Sequence, residues 1–275
     1  MRDFLAEVTK HKREELEQKK AKRPLPSFQN EINPGSGAFL KALADEQLKI
    51  IAEVKPRSPS LGNLEGAVDP KDRLSVYEKN ADAVSVLCDQ RYFAGSVELL
   101  AEISANISRP TLLKDFVLDP YQVYEARHAG AEAVLLIVKM LDKASLQSLS
   151  ALIIELGMTP LVEVQTEDEL ALAKCVQPQL LLINNRNLDT LEMDLSTVER
   201  LVKVLDYPSR VVAASGIECA DQMLAMRPYA SRFLIGSALM ASGDPVEKFK
   251  EFRAVENRYE QIRKDKQKEE PSCPQ

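Results

Sequence analysis

IIAEVKPRSPS, residues 50–60, begins as a buried strand and ends as a turn, yet it carries Glu53 and Lys55 where a core strand should still be apolar. Side chains alternate along a strand, so Glu53 and Lys55 share one face with Ile51, while Ile50, Ala52 and Val54 share the other. Burying an unpaired charge is expensive. Two charges on one face at the end of a strand mark either a structural ion pair or a site, and the stretch alone leaves both open.

Similar β-rich runs recur on either side of it. KIIAEV (49–54), DAVSVL (82–87), PTLLK (110–114), AVLLIV (133–138), TPLVEV (159–164), LLLIN (180–184), RVVAA (210–214) and RFLIG (232–236) start 21 to 33 residues apart. That spacing leaves room each time for one crossover helix and two loops. Near-continuous Val, Ile and Leu indicates burial on both faces, as in parallel sheets. DPYQVYEARHAG predicts a helix capped by Asp119, with Pro120 in its first turn and Gly130 after its end. In TEDELALAKC, Thr166 and Glu169 have the spacing of a capping box. Eight β/α units imply an α/β fold of the (β/α)8 TIM-barrel type; a doubly wound open sheet has the same alternation, but no GxGxxG follows any strand. The expected division is an N-terminal helical extension over the barrel (1–45), a catalytic barrel (46–252), and a charged, partly disordered C-terminal tail (253–275).

With 45% hydrophobic and 28% charged residues the chain can build a large core. A net charge of −6 and a pI near 5.3 supply no basic field for nucleic acid or anionic lipid. No 18-residue apolar run is present, so no membrane partner is expected. Cys88, Cys175, Cys219 and Cys273 are scattered without metal-ligand spacing and read as reduced thiols of a cytoplasmic protein. The two histidines, His11 and His128, lie in charge-rich helical segments, which disfavours a histidine triad or a zinc site. The expected partner is a phosphorylated small molecule, the expected metal and cofactor content none, and the expected state a monomer or weak homodimer.

In such barrels the loops at the C-terminal strand ends build the active site. The strand ends here read Glu53 and Lys55, Lys114, Glu163, then Asn184 and Arg186, followed by Ser215-Gly216 and Gly236-Ser237. Glu53, Lys114, Glu163 and Asn184 each share the face of an aliphatic two residues earlier: Ile51, Leu112, Leu161 and Leu182. A structural ion-pair network has no reason to gather only at these ends, whereas acid–base chemistry does. The turns after the seventh and eighth strands leave backbone N–H groups available to a phosphate, its usual place in this fold.

Taken together these segments resemble the indole-3-glycerol phosphate synthase family. IIAEVKPRSPSLG is similar to its first-strand motif, VLCDQRYFAGS to its second-strand loop, and LLKDFVLDPYQVYEARHAGAEAVLLI to its third β/α unit. LVEVQTEDEL, INNRNL, ASGI and IGSALM follow in family order. The resemblance implies ring closure of 1-(2-carboxyphenylamino)-1-deoxyribulose 5-phosphate to indole-3-glycerol phosphate in tryptophan biosynthesis, with loss of carbon dioxide and water and without cofactor or metal. It implies Lys114 as general acid, Glu163 as general base, Lys55 as holder of the leaving carboxylate, Glu53 as organiser of the lysines, and Asn184 and Arg186 as positioning groups. Ser58, Ser215, Gly216, Gly236 and Ser237 would take the phosphate, and Phe93 with Leu112 would line the aromatic slot, although core packing explains those two equally well.

One departure stands out. Where the family-like motif reads ESGI, this chain has Ala214 in AASGI, so a substrate-facing carboxylate is missing and weaker turnover is expected. The alternatives are another phosphate-binding barrel enzyme with a different substrate, such as an aldolase using Lys114 as a Schiff-base nucleophile, or a weakened paralogue.

Overall fold

The eight β-rich runs become eight parallel strands: β1 Lys49–Val54, β2 Ala83–Leu87, β3 Thr111–Lys114, β4 Ala133–Ile137, β5 Thr159–Val164, β6 Leu180–Asn184, β7 Arg210–Ala214 and β8 Arg232–Ile235. They close into a barrel in chain order, with β1 pairing both β2 and β8. The computed structural model describes residues 4–58, 62–63 and 68–269. Beyond β1, Arg57–Ser58 pairs antiparallel with Gly62–Asn63, a sheet element that the periodicity does not announce.

Alternation along each strand divides the core in two. Ile51, Leu112, Leu135, Leu161, Leu182, Val212 and Leu234 fill the barrel interior. Ile50, Val84, Leu113, Val134, Val162, Leu181 and Phe233 face outward into the helical shell. The inward aliphatics are therefore those that share a face with Glu53, Lys114, Glu163 and Asn184, which fixes these four at the C-terminal mouth.

Local signals mostly act as read. Asp119 accepts the Tyr121 N–H at 2.9 Å, Pro120 opens the helix Pro120–His128, and Gly130 lies at φ +91° just beyond it. Thr166 accepts the Glu169 N–H at 3.2 Å, but the Glu169 carboxylate reaches the N–H of Gln165, at 2.7 Å, instead of that of Thr166. The reciprocal half of that capping box is displaced by one residue.

Residues 4–46 run from the mouth of the barrel to its base. The N-terminal helix, Phe4–Lys22, buries Leu5, Val8, Lys12 and Leu16 along one face. The chain then descends past the helix Pro120–His128, where Tyr121 donates to Arg23 O and Arg127 to Asn33 O, both at 2.9 Å. It crosses Gly157 so closely that a Cβ on Gly35 would stand 2.6 Å from the Gly157 carbonyl oxygen. At the base, Phe39 and Leu43 are fully buried against the interior cluster. The buried Arg232 guanidinium, at the start of β8, holds Leu43 O at 2.7 Å, Asp45 O at 2.7 Å and the Glu46 carboxylate at 3.0 Å.

At the other end of the chain a single helix, Pro245–Glu269, runs through residue 253, where the sequence suggests that a tail begins. Phe249, Phe252 and Val255 are buried on one side of it, and Arg227 grips Glu256 through two bonds of 2.7 and 2.8 Å. A charge-rich segment thus stays helical because one narrow apolar stripe is enough to seat it. Residues 270–275 lie outside the described residues, as does Cys273.

Candidate active site

A cavity of about 300 Å³ opens at the C-terminal mouth. Glu53, Lys55, Lys114, Glu163, Asn184, Arg186, Ser215, Gly216, Gly236, Ser237 and Phe93 all line it. Two of the residues singled out from sequence do not join them. Leu112 is fully buried in the interior cluster beneath the cavity, because it precedes Lys114 by two residues and so sits roughly 6–7 Å deeper along the strand. Of Ser58 only the backbone is described; its side chain lies outside the described residues. The apolar wall is made instead by Leu87, Leu135, Ile137, Phe116 and Leu234 with Phe93.

The charged groups are paired unequally. Lys55 Nζ lies 3.1 Å from Glu53 Oε1 and 3.2 Å from Ser237 Oγ, so the end of β1 is tied to the turn after β8. Gly236 makes this possible: a Cβ there would stand 2.2 Å from the same Glu53 oxygen. Across the cavity, Glu163 Oε1 accepts from Asn184 Nδ2 at 2.8 Å, and Asn184 Oδ1 accepts the Arg186 N–H at 2.9 Å. Glu163 Oε2 is buried and has no hydrogen-bond partner among the described residues. The Lys114 ammonium lines the same cavity and makes no ion pair or side-chain hydrogen bond among the described residues. One acceptor atom and one donor group thus remain uncommitted around one space.

The turn after β7 is held in an unusual backbone conformation. Ser215 and Gly216 follow one another at φ +69° and +72°. Such a left-handed backbone is costly for serine and free for glycine. The segment after β6 packs directly on Gly216, where a Cβ would meet Leu195 Cδ2 at 2.7 Å and Met193 Sδ at 2.8 Å. In that segment the Arg186 guanidinium is steered by the Leu191 carbonyl at 3.2 Å.

Three charged residues of the mouth escape a reading of the strand ends. Asp89 and Asp115 line the cavity, immediately beyond β2 and β3, and both bind Lys12 from the N-terminal helix at 3.0 Å. Burial works against the Lys12 charge, but Asp115, Asp89 and Glu15 outweigh it and hold the ammonium above the ordinary lysine range. Burial likewise raises the Asp115 carboxyl, against the pull of Lys12. The signal was available: Lys12 occupies the i+4 position after Val8 and precedes Leu16 by four, on an otherwise apolar stripe. Among the described residues no group of three or more His, Cys, Asp or Glu could hold a metal ion. No helix among them is long and apolar enough to cross a membrane.

Residues 5–252 match the family model described as indole-3-glycerol phosphate synthase. The chain belongs to the indole-3-glycerol phosphate synthase family. It is 42% identical over 260 residues to the indole-3-glycerol phosphate synthase of Leifsonia xyli subsp. xyli, covering 92% of this chain and 99% of that protein. It is 38% identical over 244 residues to the tryptophan biosynthesis protein TrpCF of Salmonella typhi, covering 89% of this chain and 54% of that protein. The chain therefore spans about half the length of the TrpCF relatives it matches. Among solved structures, the 3-hexulose-6-phosphate synthase of Salmonella typhimurium superimposes with a TM-score of 0.63 at 13% identity, covering 77% of this chain and all of that one, which is a likeness of fold alone. In this indole-3-glycerol phosphate synthase family member, Ala214 lines the cavity between Asn184 and Leu234, its register partners on β6 and β8. The position where the family-like motif carries glutamate thus opens directly onto the candidate site.

Proposed function

We propose that the chain closes an indole ring, converting 1-(2-carboxyphenylamino)-1-deoxyribulose 5-phosphate to indole-3-glycerol phosphate, carbon dioxide and water. The aromatic carbon that bears the carboxylate attacks the ketone while Lys114 protonates the ketone oxygen. Carbon dioxide then leaves from that carbon. The resulting hydroxyl departs as water with a proton from a lysine, and Glu163 accepts the proton that the substrate loses as the ring becomes aromatic. The observation that supports this reading is a pair of groups on one cavity, Glu163 Oε2 and the Lys114 ammonium, that have no partner among the described residues. A positioned acid or base contributes about 10²- to 10⁴-fold each.

The two anionic ends of the substrate serve as handles. The phosphate lies against Ser215-Gly216 and Gly236-Ser237, where the first N–H groups of the turn Ser237–Met240 have no intrahelical partner. Lys55, bonded to Ser237 in the free protein, exchanges that bond for the substrate carboxylate once phosphate satisfies Ser237. Glu53 stays beside Lys55 and orients it. Asn184 holds Glu163, and Arg186 balances the anionic substrate. Fixing both ends folds a flexible chain into reactive geometry, an effect worth about 7–11 kcal/mol at its best. Every group invoked belongs to one chain and the steps need no cofactor, which suits a monomer or weak homodimer acting in the cytoplasm on a phosphorylated small molecule.

The test is continuous fluorescence of indole-3-glycerol phosphate formation from the carboxyphenylamino substrate. Lys114→Met and Glu163→Gln should each lower kcat by about 10²- to 10⁴-fold with little change in Tm. Unchanged turnover in both variants removes the proposed acid and base.

A further inference from the structure

We infer that Lys12 is a positioning residue: its ammonium, delivered by the N-terminal helix, clamps together the two loops that place Lys114 and Phe93 in the cavity. Lys12 is 1% exposed and has carboxylates at 2.9 Å from Glu15, 3.0 Å from Asp89 and 3.0 Å from Asp115. Glu15 belongs to the same helix and is partly solvated. Asp89 and Asp115 are buried, come from different β/α loops, and face the cavity.

Each aspartate also shapes its own loop. Asp89 Oδ1 accepts the Tyr92 N–H at 2.7 Å and so caps the turn Gln90–Phe93 that presents Phe93. That loop folds back tightly enough that a Cβ on Gly95 would meet the Leu87 carbonyl oxygen at 1.8 Å. Asp115 directly follows Lys114, and its Oδ1 accepts the Phe116 N–H at 2.8 Å. The two loops are already joined by the Cys88 N–H to Lys114 O bond of 3.0 Å, and Phe93 and Phe116 lie with centroids 6.3 Å apart. Without a cation between them, two buried carboxylates would repel each other at the point where these loops must meet. The neighbouring Lys19 is engaged by Glu125 at 3.2 Å and Glu15 at 3.4 Å, so it is not spare charge for the pair. Leu5 and Val8, on the same helix face, pack into the cluster that contains Phe116, so the helix is seated by apolar contact and locked by one charge.

The effect on turnover rests on the ring-closing reading above, whereas the clamp itself can be read without substrate. Amide hydrogen exchange of the full chain is compared for the unsubstituted protein, Lys12→Met, Lys12→Arg and the double variant Lys12→Met/Asp115→Asn. In Lys12→Met the segments 88–94 and 114–118 should exchange roughly tenfold faster, while 214–218 and 235–240 hold their protection. Turnover should fall roughly tenfold while competitive inhibition by inorganic phosphate stays as it was. Lys12→Arg should restore most of both, and Asp115→Asn in the Lys12→Met background should restore the protection by removing the repulsion. The clamp is overturned by unchanged exchange at 88–94 and 114–118. It is equally overturned by faster exchange everywhere with phosphate inhibition lost in step, which is plain destabilisation. An unsubstituted protein inert toward the carboxyphenylamino substrate removes the ring-closing reading, and the exchange comparison still decides the clamp.

Discussion

Gly236→Ala is the smallest change that should dismantle the site. A methyl group at this position would stand 2.2 Å from Glu53 Oε1, 3.0 Å from its Cδ and 3.3 Å from its Cβ. Ordinary contact begins near 3.4 Å, so the carboxylate has to retreat by about 1 Å. Glu53 is 4% exposed, so its carboxylate can retreat only into the cavity that it lines, away from its place beside Lys55. The displaced oxygen is the one that holds Lys55 at 3.1 Å, and Lys55 in turn holds Ser237. Breaking a buried pair costs about 3–5 kcal/mol when the partner stays buried, and a misplacement of ~1 Å near the reacting atoms costs about 10²-fold in rate. Gly236→Ala should therefore lose about 10²-fold in kcat, and its Tm should fall by several degrees. Those losses have a common origin in the Glu53 carboxylate, so Glu53→Ala placed in the Gly236→Ala background should recover part of the Tm, a coupling that a double-mutant cycle reads directly. Steady-state indole fluorescence and thermal unfolding of the four proteins form the assay. Gly236→Ala with normal kcat and Tm, or purely additive Tm losses in the double variant, would refute the reasoning.

Ala214→Glu returns a carboxylate to the mouth and should raise turnover roughly tenfold, what one hydrogen bond to a charged group of about 1.5 kcal/mol supplies; no gain in the fluorescence assay counts against a missing anion. Glu169 gives a prediction in pH. Burial raises its carboxyl above the ordinary glutamate range, offset in part by the Gln165 N–H and by Lys139. A raised folded-state value means that the native protein holds the proton more tightly than the unfolded chain, so this stabilisation is full in acid and is lost as pH rises through the raised value. Urea midpoints measured across that range should therefore decline less with pH in Glu169→Gln than in the unsubstituted chain, and an identical slope would refute the assignment.

Legibility from sequence followed the physics that was local. All eight strands and the inward face of each could be read because a buried parallel strand needs a continuous apolar run, and a charge at its end stands out against that run. Glu53, Lys114, Glu163 and Asn184 were legible for this reason. Lys12, Asp89 and Asp115 were not, because their meaning is tertiary: a lysine on a helix stripe and two aspartates in loops become a cluster only when the helix lies across the mouth. Leu112 shows the opposite limit. Alternation correctly turned it inward, but only the depth of the cavity floor decides whether an inward residue lines a site or supports it. The long last helix escaped because composition reports average polarity, whereas Phe249, Phe252 and Val255 seat it through one stripe.

The division of labour in the mouth follows from which groups are already satisfied. Lys55 and Glu53 neutralise each other, and Lys12 is surrounded by acids, so each of those ions is fixed by its neighbours before any substrate arrives. A group held in this way serves orientation well and proton transfer poorly, because its proton or lone pair is engaged. Glu163 is half engaged: Asn184 fixes one oxygen, and the other has no hydrogen-bond partner among the described residues. The Lys114 ammonium makes no ion pair or side-chain hydrogen bond among the described residues. Among the described residues, Glu163 Oε2 and the Lys114 ammonium are thus left without a partner in the mouth, and they are the groups that the proposed reaction needs as base and acid, while the paired ions beside them set their geometry. Burying an unpaired carboxylate oxygen costs stability that core packing alone would avoid, and the reaction is what gives that expense a purpose.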